Sequence, residues 1–432
     1  MKHTLSAMAL AALALAAPCL AQDHSHDPHA AAPAGPPLDW KALEAPLLTH
    51  HVQLTSRDKF VKAGEAYFSP DGKWIIFQAV AVPPEGKEPD PFYAMYVAKL
   101  KLDRFTGEVA GIEDPIRVSP EGSANTCGWF KPGAYDATHP FTVLFGSTLK
   151  TPQDESKSGF QVGTRTYKWM FPAEMDVVQV TVSPVANAVK GQTGPGGGEI
   201  WAPSAAEPVF TRPNYDAECS FSSDGRFILY THLNDPEPNQ PHDADIWIYD
   251  TKTQQQHCVV KAPGYDGGPF FSPDNKSICY RSDRKGNDLL QLFVADLKFD
   301  KDGAPVGIEH EYQLTDNESV NWAPYWHPSG RYIVYGTSEV SHANYEVFAI
   351  KVDMSALRAG TAPASMPHQR VTQADGADIL PVFSADGKLL MWTSQRGPKV
   401  EGEAKPSSQL WLAQWKGDPF AATAASPDKG HR

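Results

Sequence analysis

Five polar residues stand at one repeated place in this chain and have the chemistry to hold a cation. Asn125, Asp216, Asp266, Asn321 and Asp378 each lie eight positions before the same kind of turn, with Ala63 as the sixth member of the column. Three Asp and two Asn offer oxygen ligands to a hard ion such as Ca²⁺. They suit the ammonium or guanidinium of a peptide equally well. Two positions further on, Glu65 and Glu218 are the only carboxylates in a column completed by Cys127, Gly268, Ala323 and Leu380. Two facing carboxylates can share acid and base work on a sugar, or close on a bound cation. Trp322, one step after the first column, is placed to stack on a ligand. The same residue types also cap turns, because Asp and Asn before a strand bond nearby backbone N–H groups. Ligand ring and structural cap are both open readings of the column.

The element that positions these residues is a phrase the chain repeats. AYFSPDGKWIIFQA begins at Ala66, CSFSSDGRFILYTH at Cys219, PFFSPDNKSICYRS at Pro269, PYWHPSGRYIVYGTS at Pro324 and PVFSADGKLLMWTS at Pro381. Each copy is a β-rich strand, a tight turn and a second strand. Pro presets φ, Asp bonds its own backbone, and Gly takes a positive φ. The turn positions Asp224, Asp274, Ser329 and Asp386 are 50, 55 and 57 residues apart, the size of a four-stranded propeller blade. A divergent unit uses the strands 125–131 and 141–147, with Lys131-Pro132-Gly133 as its turn and an insertion over 148–170. A Gly-rich loop, QTGPGGG, follows at 192–198.

Six units result, and the fold class is all-β: a six-bladed β-propeller. The last unit lacks a fourth strand, while an unattached strand, HHVQLT at 50–55, precedes the first blade. The N-terminal strand is therefore expected to complete the last blade and close the ring, removing an open sheet edge. The first strand of each blade lines the channel, so the first polar column is expected to ring one channel mouth and the second to lie inside the channel.

The ends of the chain carry other signals. A basic start at Lys2 and His3, an apolar run over 5–17 and small residues at Cys19 and Ala21 predict a signal peptide over 1–21, cleaved before Gln22. Pro18 fits a lipoprotein box poorly, so anchoring at Cys19 is not expected. Residues 22–45, rich in His, Ala and Pro, read as a disordered linker in which His24, His26 and His29 are solvated. The propeller is expected over 46–416 and a flexible tail over 417–432. Export permits disulfides, yet Cys127, Cys219, Cys258 and Cys279 lie in strands and are expected as free thiols. The net charge of −13, from 38 basic and 51 acidic residues, argues against nucleic acid or an anionic membrane as partner.

VQLT followed by GEAYFSPDGKWIIFQA, and GYDGGPFFSPDNKSICYRSDR with NDLLQLFVADL, resemble TolB-like propellers, exported proteins built from WD-like repeats. The resemblance covers residues 50–415. It implies the propeller part only, without the N-terminal α/β domain that TolB itself carries. It implies a binding module.

The sequence therefore predicts a periplasmic or secreted, monomeric, non-catalytic propeller. It binds a protein or peptide of the cell envelope, or a cation, at the channel mouth. The alternative is a propeller enzyme, a metal-assisted carbohydrate lyase or hydrolase working in the channel. No GxSxG, HExxH, phosphate loop or CxxC is present, and neither column holds a His, which favours binding.

Overall fold

The structure is a computed structural model. It describes residues 38–133, 135, 139–153, 171–185, 200–235, 243–403 and 405–421, with the backbone alone at 160–162 and 166–168. The expected signal peptide, His24, His26 and His29, the loop 192–198 and residues 422–432 lie outside the described residues.

Six sheets of four principal strands each make the propeller. The innermost strands are Phe60–Phe68, Asn125–Phe130, Asp216–Phe221, Asp266–Phe271, Asn321–Trp326 and Asp378–Phe383. Within each blade successive strands pair antiparallel, as tight hairpins require. In four blades the connecting turn is one hydrogen-bonded unit. Asp274 Oδ1 accepts from the Ser272 hydroxyl and the Lys276 N–H, while Ser272 Oγ accepts from the Ser277 N–H. Ser69 with Asp71, Ser222 with Asp224, and Ser384 with Asp386 repeat it. The fifth blade replaces the Ser–Asp pair with His327 and Ser329.

Second and third strands are apolar on both faces because each blade is covered by its neighbours. Ile75, Ile76 and Phe77 are fully buried, as are Val143, Phe145, Ile333 and Val334. Each such side chain contributes roughly 1.5–3 kcal/mol of transfer free energy.

The second blade takes its third strand from Asp176–Pro184, beyond the insertion, and its fourth from Trp201–Pro203 with the short Glu207–Pro208 alongside. The sixth blade runs Asp378–Phe383, Leu389–Ser394, Gln409–Trp415 and then Leu48–Gln53. The ring is thus closed by the N-terminal strand, with Leu48 opposite Trp415 and Gln53 opposite Trp411.

One segment differs from its expectation. Part of the supposed linker, Trp40–Glu44, is a short helix capped by Asp39. Its Glu44 is buried and accepts from Arg396 at 2.9 and 3.0 Å, from His51 at 2.8 Å and from the Gln373 N–H at 2.8 Å. A low-complexity composition hid one apolar-anchored turn whose carboxylate finds a buried arginine.

Candidate functional site

Each innermost strand carries a bulge. The pairing shifts between Gly64 and Ala66, between Thr126 and Trp129, and at the equivalent place in the other four blades. The residue at the bulge has a left-handed backbone in all six: Glu65, Cys127, Glu218, Gly268, Ala323 and Leu380, with φ from 40° to 57°. These six are the second column of the sequence. Bulges re-aim side chains, and here they set Glu65 and Glu218 among polar groups of other blades.

Glu218 is the more heavily engaged carboxylate. It accepts from the Tyr265 hydroxyl at 2.7 Å, the Gly268 N–H at 2.5 Å, Thr231 Oγ1 at 3.2 Å and Arg281 at 3.2 Å. Arg281 also donates to the Tyr265 hydroxyl at 2.8 Å. Room for this guanidinium comes from Gly267 and Gly268. A Cβ on Gly268 would lie 1.8 Å from Arg281 Nη1, and one on Gly267 would lie 2.2 Å from the Tyr265 hydroxyl. Trp322 is half-buried, its ring 5.9 Å from the Arg281 guanidinium.

Glu65 is 9% exposed and accepts from the Tyr67 hydroxyl at 3.1 Å and from Thr126 Oγ1 at 3.5 Å, both neutral donors. Burial pushes its carboxyl above the ordinary range, and repulsion from Glu218 adds to this against the opposing pull of Cys127, Arg281 and Tyr67. Burial likewise raises the Cys127 thiol, with Glu65 and Glu218 adding their charge. A thiol held protonated in this way is a poor nucleophile.

Two residues beyond the bulges, aromatic rings close the channel. Tyr67, Trp129, Phe270 and Tyr325 come from the first, second, fourth and fifth blades, yet their ring centroids lie 5.0–6.4 Å apart. Blades on opposite sides of the ring touch only across its axis. The polar groups therefore lie above an aromatic floor, and the Phe171 ring packs beside them on Tyr215 and Tyr265 at 5.1 and 5.9 Å. The bulge shifts the in–out alternation by one residue and sends Trp129 and Tyr325 to the axis.

The first column sits differently from an open ring. Asp216, Asp266 and Asn321 are 0% exposed, Asp378 1% and Asn125 5%. Asp216 bonds Arg212 at 3.2 Å and His232 at 2.9 Å. Asp266 accepts from Arg284 at 2.9 Å, and Asp378 from Arg396 and the Trp392 indole. Asn125 donates to the Tyr93 and Ser123 carbonyls, and Asn321 is tied to Asn317, Ser319 and Thr337. Each is bonded within the protein, and at the three Asp positions an external cation would have to displace an arginine. Burial still pushes Asp266 up to about 6 despite Arg284.

Among the described residues no group of three or more His, Cys, Asp or Glu is arranged to hold a metal ion, and all four cysteines there are free. A larger groove lies on the turn side between the fourth and fifth blades. Its arginines are already paired, Arg358 with Asp296 and Arg331 with Asp418.

Fold and site together define a six-bladed propeller whose axis is closed by aromatic rings beside a largely buried carboxylate pair, and the propeller is TolB-like. No family model matches the chain. The Tol-Pal system protein TolB of Wolinella succinogenes is 25% identical over 177 residues, 41% of this chain and 36% of that protein. Dipeptidyl-peptidase 5 of Porphyromonas gingivalis is 35% identical over 111 residues, 24% of this chain and 16% of that protein. Among solved structures, a putative TolB from Agrobacterium tumefaciens matches at 14% identity and a TM-score of 0.43, covering 82% of this chain and 91% of its own. The chain spans about a third of the length of the TolB relatives it matches.

Proposed function

We propose that this protein is an exported, non-catalytic binding module that captures a protein or peptide of the cell envelope at the polar end of its channel. Glu65, Glu218 and Trp322 form the recognition surface, and Asn125, Asp216, Asp266, Asn321 and Asp378 hold the strand starts around it. The observation that supports this most directly is the aromatic floor formed by Tyr67, Trp129, Phe270 and Tyr325. A channel blocked at that depth suits capture of a side chain or chain end rather than passage. The donors crowded on Glu218 and the raised Cys127 thiol leave neither free for proton or group transfer. The TolB relatives are named for a system rather than for a reaction, which is in keeping with this reading.

The test is a cross-linked pull-down from envelope extract with tagged mature protein, run beside Trp322→Ala and Glu65→Gln and repeated with chelator. Partners retained by the native protein and lost by both variants support the proposal. An identical set recovered by the variants at equal strength defeats it. Loss on chelation alone would instead point to a Ca²⁺-dependent site.

A further inference from the structure

Two carboxylates stand at the bulges, but among the described residues only one is directly ion-paired. Glu218 carries Arg281 at 3.2 Å, whereas Glu65 is bonded by neutral donors, the Tyr67 and Thr126 hydroxyls at 3.1 and 3.5 Å and the Cys127 thiol, and feels Arg281 only through its field. A buried charge without a counter-charge is costly and is relieved by a proton or by a cation. Beside Glu65 lies a small cavity lined by Tyr67, Phe270, Tyr325, Leu380 and Pro381, with space for about one water-sized group. Its three aromatic rings stand 5.2–6.4 Å from one another.

Aromatic faces attract cations, most strongly where water is excluded. We propose that this cavity takes a primary ammonium group, from a lysine side chain or the amino terminus of a peptide, with Glu65 as its counter-charge and the rings as its walls. The assignment rests on the channel-end reading above and narrows it. A quaternary ammonium or a guanidinium is too large for the space, and a hard metal ion would find one carboxylate where it needs several oxygens.

Burial raises the Glu65 carboxyl, and a bound cation would favour its ionised form. The titratable groups that face Glu65 are Tyr67 on its own strand, Tyr93, Cys127, Tyr215, Cys219, Glu218 and Arg281. Of these, Glu218 and Arg281 offset one another.

The experiment is calorimetric titration of the full mature protein with n-butylammonium. Butyramide, n-butylguanidinium and tetramethylammonium serve as comparators. Saturable binding of n-butylammonium alone is expected, weakened at least tenfold in Glu65→Gln and tightening as pH rises through the Glu65 titration. Equal binding of butyramide, or an unaffected Glu65→Gln, overturns the proposal. Should that variant fail to fold, nuclear Overhauser contacts from the n-butylammonium methylenes to the Tyr67 and Tyr325 rings decide on the native protein, and their absence is equally fatal.

An acetylated peptide with one internal lysine, set against a lysine-free peptide with a free amino terminus, separates the two sources. If n-butylammonium does not bind while the pull-down still depends on Trp322, the ammonium assignment fails and the channel-end reading stands. If it binds and no partner is captured, the reverse holds.

Discussion

Arg281 owes its position to a missing side chain. Its counterparts in the other blades are short or neutral: Gln78, Gly146, Thr231, Gly336 and Thr393. Only in the fourth blade does the facing pair Gly267-Gly268 leave room for a guanidinium. Arg281→Met should lower stability by about 3–5 kcal/mol in urea denaturation, because it strands Glu218 as an uncompensated buried charge. The double change Arg281→Met with Glu218→Gln should recover most of that loss, and additive losses would show that the pair is not coupled. At the turns, Asp274→Ala should cost about 1 kcal/mol for its hydrogen bonds, without changing binding at the polar end of the channel. The buried column was legible as a column, though not as a set of ion pairs. Asp266 with Arg284 and Asp378 with Arg396 share one separation of 18 residues, and reading both repeats together would have joined them.

At the scale of the strand, the bulge governs what each inner side chain can do. A left-handed backbone at a residue with a Cβ costs roughly 1–2 kcal/mol, and five non-glycine residues accept it here. Glycine normally weakens a strand by about 0.5–1 kcal/mol relative to alanine. At Ala323, with φ of 54°, relief of strain should cancel that penalty. Ala323→Gly should therefore leave the melting temperature nearly unchanged, whereas Ala349→Gly in the buried third strand of the same blade should lower it clearly. Equal losses at both sites would mean that the bulge stores no strain. The repeat made the blades legible because turn chemistry is local and recurs. The aromatic floor was not legible, since it depends on where four strands converge and on a bulge that leaves no mark in the alternation of residue types.

The molecule as a whole depends on a seam between its two ends. Removing residues 1–37 should leave the melting temperature unchanged, while removal through Thr55 should cause aggregation by exposing the Gln409–Trp415 edge. The Glu44–Arg396 pair fastens the same region. Burial alone would raise the Glu44 carboxyl, but its bonds to His51 and Arg396 outweigh this and hold it below the ordinary value of 4.5. Its contribution to stability is thus present above about pH 4.5 and is lost as pH falls through the depressed folded-state value. Glu44→Gln should remove that part of the acid dependence, measured as the difference between the two unfolding curves across pH. If native and variant proteins lose stability in parallel below pH 4.5, the pair is not the fastening.

The direction in which the seam opens follows from its register. Leu48 faces Trp415, so the chain enters and leaves the last blade at one end of the strand pair, where the Lys416 N–H also bonds the Leu47 carbonyl. A mechanical load that draws the two termini apart peels this pair one rung at a time instead of shearing every rung together. The Glu44–Arg396 contact ties the preceding helix to the far end of the blade, beyond the Ser394–Gln409 pair. A propeller tethered through its N-terminal segment and pulled by its C-terminal end would yield first at the sixth blade, at low force, with five blades still intact.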